Sequence, residues 1–189
     1  MGMLQRENKQ QEQSPRQVLG SKFAGARHNL LLIVIFTAIN IVLLVTNSNS
    51  YFLFSAYIPY LLVDFGMLLC GMYPGEIYVD EFAGMVFLDR SFFVILLIIA
   101  IVILALYLLC WFLSKQNKVG YLIFALVFFS IDTVLMLLLN GVATEMIIDI
   151  VFHGWVIYSL VNGIIAHRKL RQLPEELEEA AAVEALEER

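Results

Sequence analysis

FFVILLIIAIVILALYLLCWFL (92–113) contains no charged residue in 22 positions. A bilayer core about 30 Å thick is crossed by about 20 apolar residues in an α-helix. A membrane-spanning β-strand would alternate apolar and polar residues with period two. This run is continuous, so it reads as a transmembrane helix. The rest of the chain agrees. Of 189 residues, 60% are hydrophobic and 15% charged, and the mean hydropathy is +0.80. A soluble domain carries roughly 25% charged residues, so this chain lacks the charge to coat a water-facing surface. The composition excludes a disordered chain, a disulfide-rich secreted module and an ordinary soluble enzyme.

Working outward from 91–113, four further apolar segments lie at 29–46, 51–72, 119–140 and 144–166. The expected fold is all-α, a polytopic transmembrane bundle of about five hydrophobic helices. Its core is 29–166, preceded by a polar basic tail (1–28). A basic juxtamembrane stretch and an acidic helical tail follow (167–189). Asn-Ser-Asn-Ser (47–50), Ser-Lys-Gln-Asn-Lys (114–118) and Asn140-Gly141 read as turns. The longer connection, YPGEIYVDEFAGMVFLDR (73–90), is acidic. Within 1–28, Leu19, Phe23 and Ala26 fall at helical spacing among Arg16, Lys22 and Arg27. An interfacial helix is one reading, and a solvated tail is the preferred one. The segment 29–46 reads as an uncleaved helix rather than a signal peptide, because its polar leader is too long.

Charge becomes informative once divided by segment. The net charge is −5, yet PEELEEAAAVEALEER (174–189) holds seven Glu and one Arg, net −6. The other 173 residues hold 11 basic and 10 acidic residues, net +1. Basic residues mark the cytoplasmic side, and Lys115, Lys118, Arg168, Lys169 and Arg171 all fall there if helices three to five cross. Five full crossings would then export the basic N-terminal tail. Either that tail is exported or one segment does not span. The segment 51–72 is the suspect, because it contains Pro59, Asp64 and Gly66. The expected location is the plasma or inner membrane, multi-pass, with a cytoplasmic C-terminus.

Ionisable residues at membrane depth are functional candidates. They are Asp64, Asp132, Glu145, Asp149 and His153. The last three recur every four residues and share one helix face. Asp132 lies ten residues before a turn centred near Val142 and His153 eleven after it, so the two fall at similar depth. A carboxylate beside an imidazole can pass a proton, and carboxylate and imidazole groups also ligate divalent metals. The competing readings are structural. Glu145 suits the first turn of a helix, and Asp132–His153 can simply join two helices. Tyr107 and Trp111 read as an interfacial belt. Cys70 and Cys110 read as buried free thiols on opposite membrane faces, too far apart for a disulfide.

Phosphate-cradling Gly-rich loops and the HExxH, GxSxG and Ser/Lys signatures are absent. No catalytic residue or cofactor is expected, and enzymatic activity is the less favoured class. No basic surface with interleaved aromatics points to nucleic acid. The expected partners are the lipid bilayer, a small-molecule or ion substrate, and a protein reached through 174–189. Three functions follow in order: a small transporter or transporter subunit with a polar path, an accessory scaffold acting through its C-terminal tail, and an intramembrane metal-dependent enzyme.

NLLLIVIFTAIN (29–40), YFLFSAYIPY (51–60) and DIVFHGWVIYSLVNGIIAHRKLRQLP (149–174) give the chain a layout that resembles small multi-pass bacterial inner-membrane proteins without an assigned activity. That resemblance covers most of the chain and implies no site residue. In size the chain is also similar to the membrane-embedded substrate-binding subunits of energy-coupling-factor vitamin transporters. Those usually have six helices, against five segments here.

Overall fold

A computed structural model describes residues 14–48, 50–52, 54–79, 82, 84–115, 118–141 and 146–173. Among them are five α-helices and no strand: α1 (Pro15–Val45), α2 (Tyr57–Leu69), α3 (Arg90–Ser114), α4 (Val119–Asn140) and α5 (Ile147–Leu170), with a 3-10 turn at Gly75–Tyr78. Helices α1, α3, α4 and α5 have 31, 25, 22 and 24 residues and are apolar enough to cross a membrane. Helix α2 has 13 residues. At 1.5 Å per residue it reaches about 20 Å, short of a bilayer core.

Helix α1 begins at Pro15, well before the apolar run that opens at Asn29. Ser14 and Gln17 form a reciprocal capping box, each side chain accepting from the other's backbone N–H at 3.3 Å, with Pro15 at the first helical position. The basic stretch continues as helix because one of its faces is covered. Phe23 and Ala26 are buried, and the Phe23 ring lies 5.0 Å from that of His167 on α5. Arg27 donates to Ser114 Oγ (3.0 Å) and to the Trp111 carbonyl (3.2 Å), which closes the last turn of α3. This region is therefore a packed helix, not a solvated tail.

Helices α1 and α5 run antiparallel. Asn29 Nδ2 donates to Ser159 Oγ at 2.6 Å, and Gly163 meets Ala26 one turn further along. A Cβ added at Gly163 would overlap that of Ala26. Without a hydrophobic drive between helices in lipid, close backbone approach is what favours association, and small residues permit it.

These contacts bring Pro15–Arg27, the α3–α4 connection and the C-terminus of α5 to one end of the bundle, called here the basic end. Helix α2 never reaches it. Val63 and Met67 cluster with Ile41 and Leu44 of α1, so α2 runs in the same direction as α1. At its C-terminus, Leu88 N–H donates to the Leu69 carbonyl (2.8 Å), and Phe93 packs on Gly66. Asp89 caps α3 by accepting from Ser91 N–H at 2.9 Å. That bonding holds the Asp89 carboxyl below the usual carboxylate range. The chain thus leaves α1 at the far end, lies further inward at Phe52 and at Phe54–Ala56, and returns to the far end along α2. The segment 51–72 therefore holds only a short helix, and four helices are long and apolar enough to cross a membrane.

Gly163→Leu is expected to destabilise the bundle by about 1–3 kcal/mol through overpacking against α1. Gly154→Ala, where added carbon meets nothing within 4 Å, serves as the control. Denaturant unfolding in detergent, followed by circular dichroism, measures both.

Candidate functional site

Non-helical backbone at membrane depth survives only where protein groups replace water. The stretch leading into α2 shows how this chain meets that demand. Asn40 of α1 makes a two-way pair with Phe52, accepting its N–H at 2.8 Å and donating to its carbonyl at 2.7 Å. Thr37, one turn deeper, accepts the Ala56 N–H at 2.8 Å and donates to the Ile33 carbonyl. Tyr51 and Ser55 join through their hydroxyls at 2.7 Å. Between them Phe54 adopts a left-handed backbone (φ +77°), strained for an aromatic residue. Its ring is held by Phe36 (5.8 Å) and Trp155 (5.9 Å) on the two flanking helices.

The start of α2 then lies at the level of Thr37, about 12 Å inside the end of α1. No side chain of its own caps it. Asp132 of α4 does so instead: Tyr57 N–H donates to Oδ2 at 2.8 Å and Ile58 N–H to Oδ1 at 2.7 Å. Asp132 is 1% exposed. A helix N-terminus carries partial positive charge and unpaired N–H groups, so it offers a buried carboxylate the donors that water would otherwise supply.

His153 of α5 completes the centre. Its ring stacks on Phe129 at 5.0 Å, nearly parallel. Nδ1 lies 2.8 Å from the Asp149 backbone carbonyl. A carbonyl only accepts, so Nδ1 carries a hydrogen and Nε2 is the exchangeable position. Nε2 faces Asp132 Oδ2 at 3.6 Å and makes no hydrogen bond. The buried Tyr107 hydroxyl likewise has no partner among the described residues. The Asp132 carboxylate thus faces an imidazole nitrogen with unused bonding capacity. With a proton on Nε2 the His–Asp contact is attractive; without it, a lone pair faces an anion.

Of the residues singled out in the sequence, Asp132 and His153 meet. Asp149 adjoins them, half-buried, and offers His153 its backbone carbonyl. Asp64 is elsewhere: it lies further along α2 towards the far end and accepts from the Tyr73 hydroxyl. Burial and that bond push the Tyr73 phenol up. Glu145 lies outside the described residues, as do 1–13 and the acidic tail 174–189. Asn140 does not face α5; its amide folds back on the Met136 carbonyl. Tyr107 is no belt residue, being 2% exposed in the core against Phe128. The helix face that carries Tyr107 also carries buried Ala100, Cys110 and Ser114, which turns it inward. Cys70 and Cys110 are both buried and free. Thr37, Asn40 and Ser55 escaped notice in the sequence. The signal was there in Thr37 and Asn40, two polar residues one turn apart inside an apolar run. Among the described residues no three His, Cys, Asp or Glu side chains group as metal ligands.

No family model, curated protein or solved structure matches the chain.

Asp132→Ala orphans the Tyr57 and Ile58 N–H groups and removes the carboxylate that faces His153. The expected loss is about 3–5 kcal/mol, as for removing one partner of a buried charged pair. Thr37→Val orphans a single N–H and is expected to cost about 1–3 kcal/mol. Unfolding titrations in mixed micelles test the ranking, which reverses if Asp132 is not the anchor of α2.

Proposed function

We propose that the protein is a small membrane transporter, or a transporter subunit, in which Asp132 and His153 take up and release a proton. The observation that carries this reading is the buried imidazole–carboxylate pair at mid-depth, set against the N-terminus of a re-entrant helix. Broken helices whose ends point at a site near the midplane are a recurrent way to bind ions and polar substrates inside a bilayer. An imidazole can both accept and donate a proton, the chemistry that a proton-coupled site requires. Loss of the Nε2 proton weakens the link between α5 and the α2–α4 junction, and this couples the charge of the pair to the position of the re-entrant segment. The membrane is the plasma or inner membrane, and the basic end faces the cytoplasm. Four crossings support that orientation, because they gather Lys22, Arg27, Lys115, Lys118, Arg168, Lys169 and Arg171 on one side, in accord with the positive-inside rule.

Two experiments test this reading. In liposomes with an internal pH dye, a potassium–valinomycin potential is expected to drive proton entry with the wild-type chain. His153→Phe keeps the stacking on Phe129 and the Asp132 cap while removing the exchangeable proton. It is expected to lose at least 90% of the flux, about a tenfold effect worth 1.4 kcal/mol in barrier, with near-wild-type thermal stability. Wild-type liposomes no leakier than empty ones would remove the proposal. For topology, reporter fusions at Gln10, Gln116 and Glu188 are expected to read cytoplasmic and one at Glu81 exported. An exported Gln116 fusion would reverse the orientation.

A further inference from the structure

A second polar feature lies apart from the proton pair, on the outer side of α1 and α5. Near the basic end the two helices enclose an open groove of about 460 Å³, lined by Lys22, His28 and Asn29 of α1 and by Trp155, Tyr158 and Asn162 of α5, among others. No acidic side chain lines it. Lys22 and His28 are exposed, so their charge and donors face outward rather than into the core. Gly25 widens the groove, since an added Cβ there would meet nothing within 4 Å. Trp155 is 46% exposed and Tyr158 67%. Both are rings with an apolar body and a polar tip, which suit the level where headgroups meet acyl chains. Lys169, also exposed, lies seven residues after Asn162 and so shares its helix face.

Beyond the groove, towards the middle of the bundle, both helices carry exposed aliphatic side chains. Leu32 follows Asn29 on α1, and Val151 and Ile148 precede Trp155 on α5, all exposed. From the basic end inward the surface is therefore a lysine, then amide and hydroxyl donors, then two aromatic rings, then branched aliphatics. This is the order of chemistry along a phospholipid, from anionic phosphate through the glycerol region to the acyl chains. We infer that the α1–α5 groove binds the phosphate headgroup of an anionic phospholipid. Lys22 supplies the charge, Asn162 and Tyr158 supply hydrogen-bond donors, and the acyl chains lie along Leu32 and Val151. The inference is independent of proton transfer and stands or falls separately.

The chain contains two tryptophans, so Trp111→Phe leaves Trp155 as a reporter inside the groove. This full-length variant is reconstituted in phosphatidylcholine bilayers with rising fractions of phosphatidylglycerol carrying brominated acyl chains, which quench indole fluorescence on contact. Phosphatidylglycerol is expected to bind at Trp155 about fivefold more strongly than brominated phosphatidylcholine, in line with one lysine acting on an anionic headgroup. Lys22→Gln and Asn162→Leu in the same background are expected to bring the ratio close to one. Lys118→Gln, at the basic end but on α4, is expected to leave it unchanged. Equal quenching by the two lipids overturns the proposal, as does a preference that survives Lys22→Gln or falls equally with Lys118→Gln. Reversal of the quenching by millimolar glycerol phosphate also overturns it, because the groove would then serve a soluble phosphate ester.

Discussion

The contact between Asp132 and the first two amides of α2 is the interaction on which the rest of the architecture depends. A helix that starts inside a bilayer exposes N–H groups with no water to receive them, and each would cost several kcal/mol. A carboxylate at the same depth has the opposite difficulty. Joined, each removes the other's penalty, with bonds of 2.7 and 2.8 Å. Thr37 and Asn40 extend the arrangement to the chain leading into α2. The start of α2 and the stretch leading into it are therefore held by side chains from α1 and α4, separated from them by 12 to 75 positions in sequence.

This explains the distribution of charge. If all five apolar segments crossed, the basic N-terminal stretch and the basic C-terminal stretch would lie on opposite sides. With α2 too short to span, four helices are long enough to cross, and every basic cluster in the described helices falls at one end. Towards the same end α1 and α5 are tied by Asn29–Ser159 and by the close approach at Gly163. Arg27 links that pair to α3 through Ser114 and Trp111. The basic end thus joins α1, α3 and α5, and the far end holds the C-terminus of α2 and the start of α3.

Parts of the candidate site were legible in the sequence. Counting residues outward from the turn near Val142 placed Asp132 and His153 at one depth, because helical rise is constant and the two helices are antiparallel. The same arithmetic could not show that Asp132 serves α2, since nothing local to Tyr57 or Ile58 marks them as its donors. Asp64, like Asp132, is a lone carboxylate in an apolar run, yet its partner is Tyr73 at the far end. Tyr107 looked like an interfacial aromatic, and only the rotation of α3 turns it into the core. Leu19, Phe23 and Ala26 hinted at a helix, but the α5 surface that covers Phe23 and Ala26 is 130 or more residues away in sequence.

By itself the sequence determined that this chain lives in a bilayer as helices. That outcome is a sum over contiguous residues: transfer of about 20 apolar side chains, with every backbone bond made locally. It also determined which ionisable residues lie deep, because depth follows from position along a helix. The tertiary structure decided that the suspect segment 51–72 forms only a 13-residue helix, where α1 begins, and that Asp132 joins the start of α2 to His153. Those outcomes rest on hydrogen bonds and packing between distant segments, and such contacts leave no periodic trace in the residues that make them.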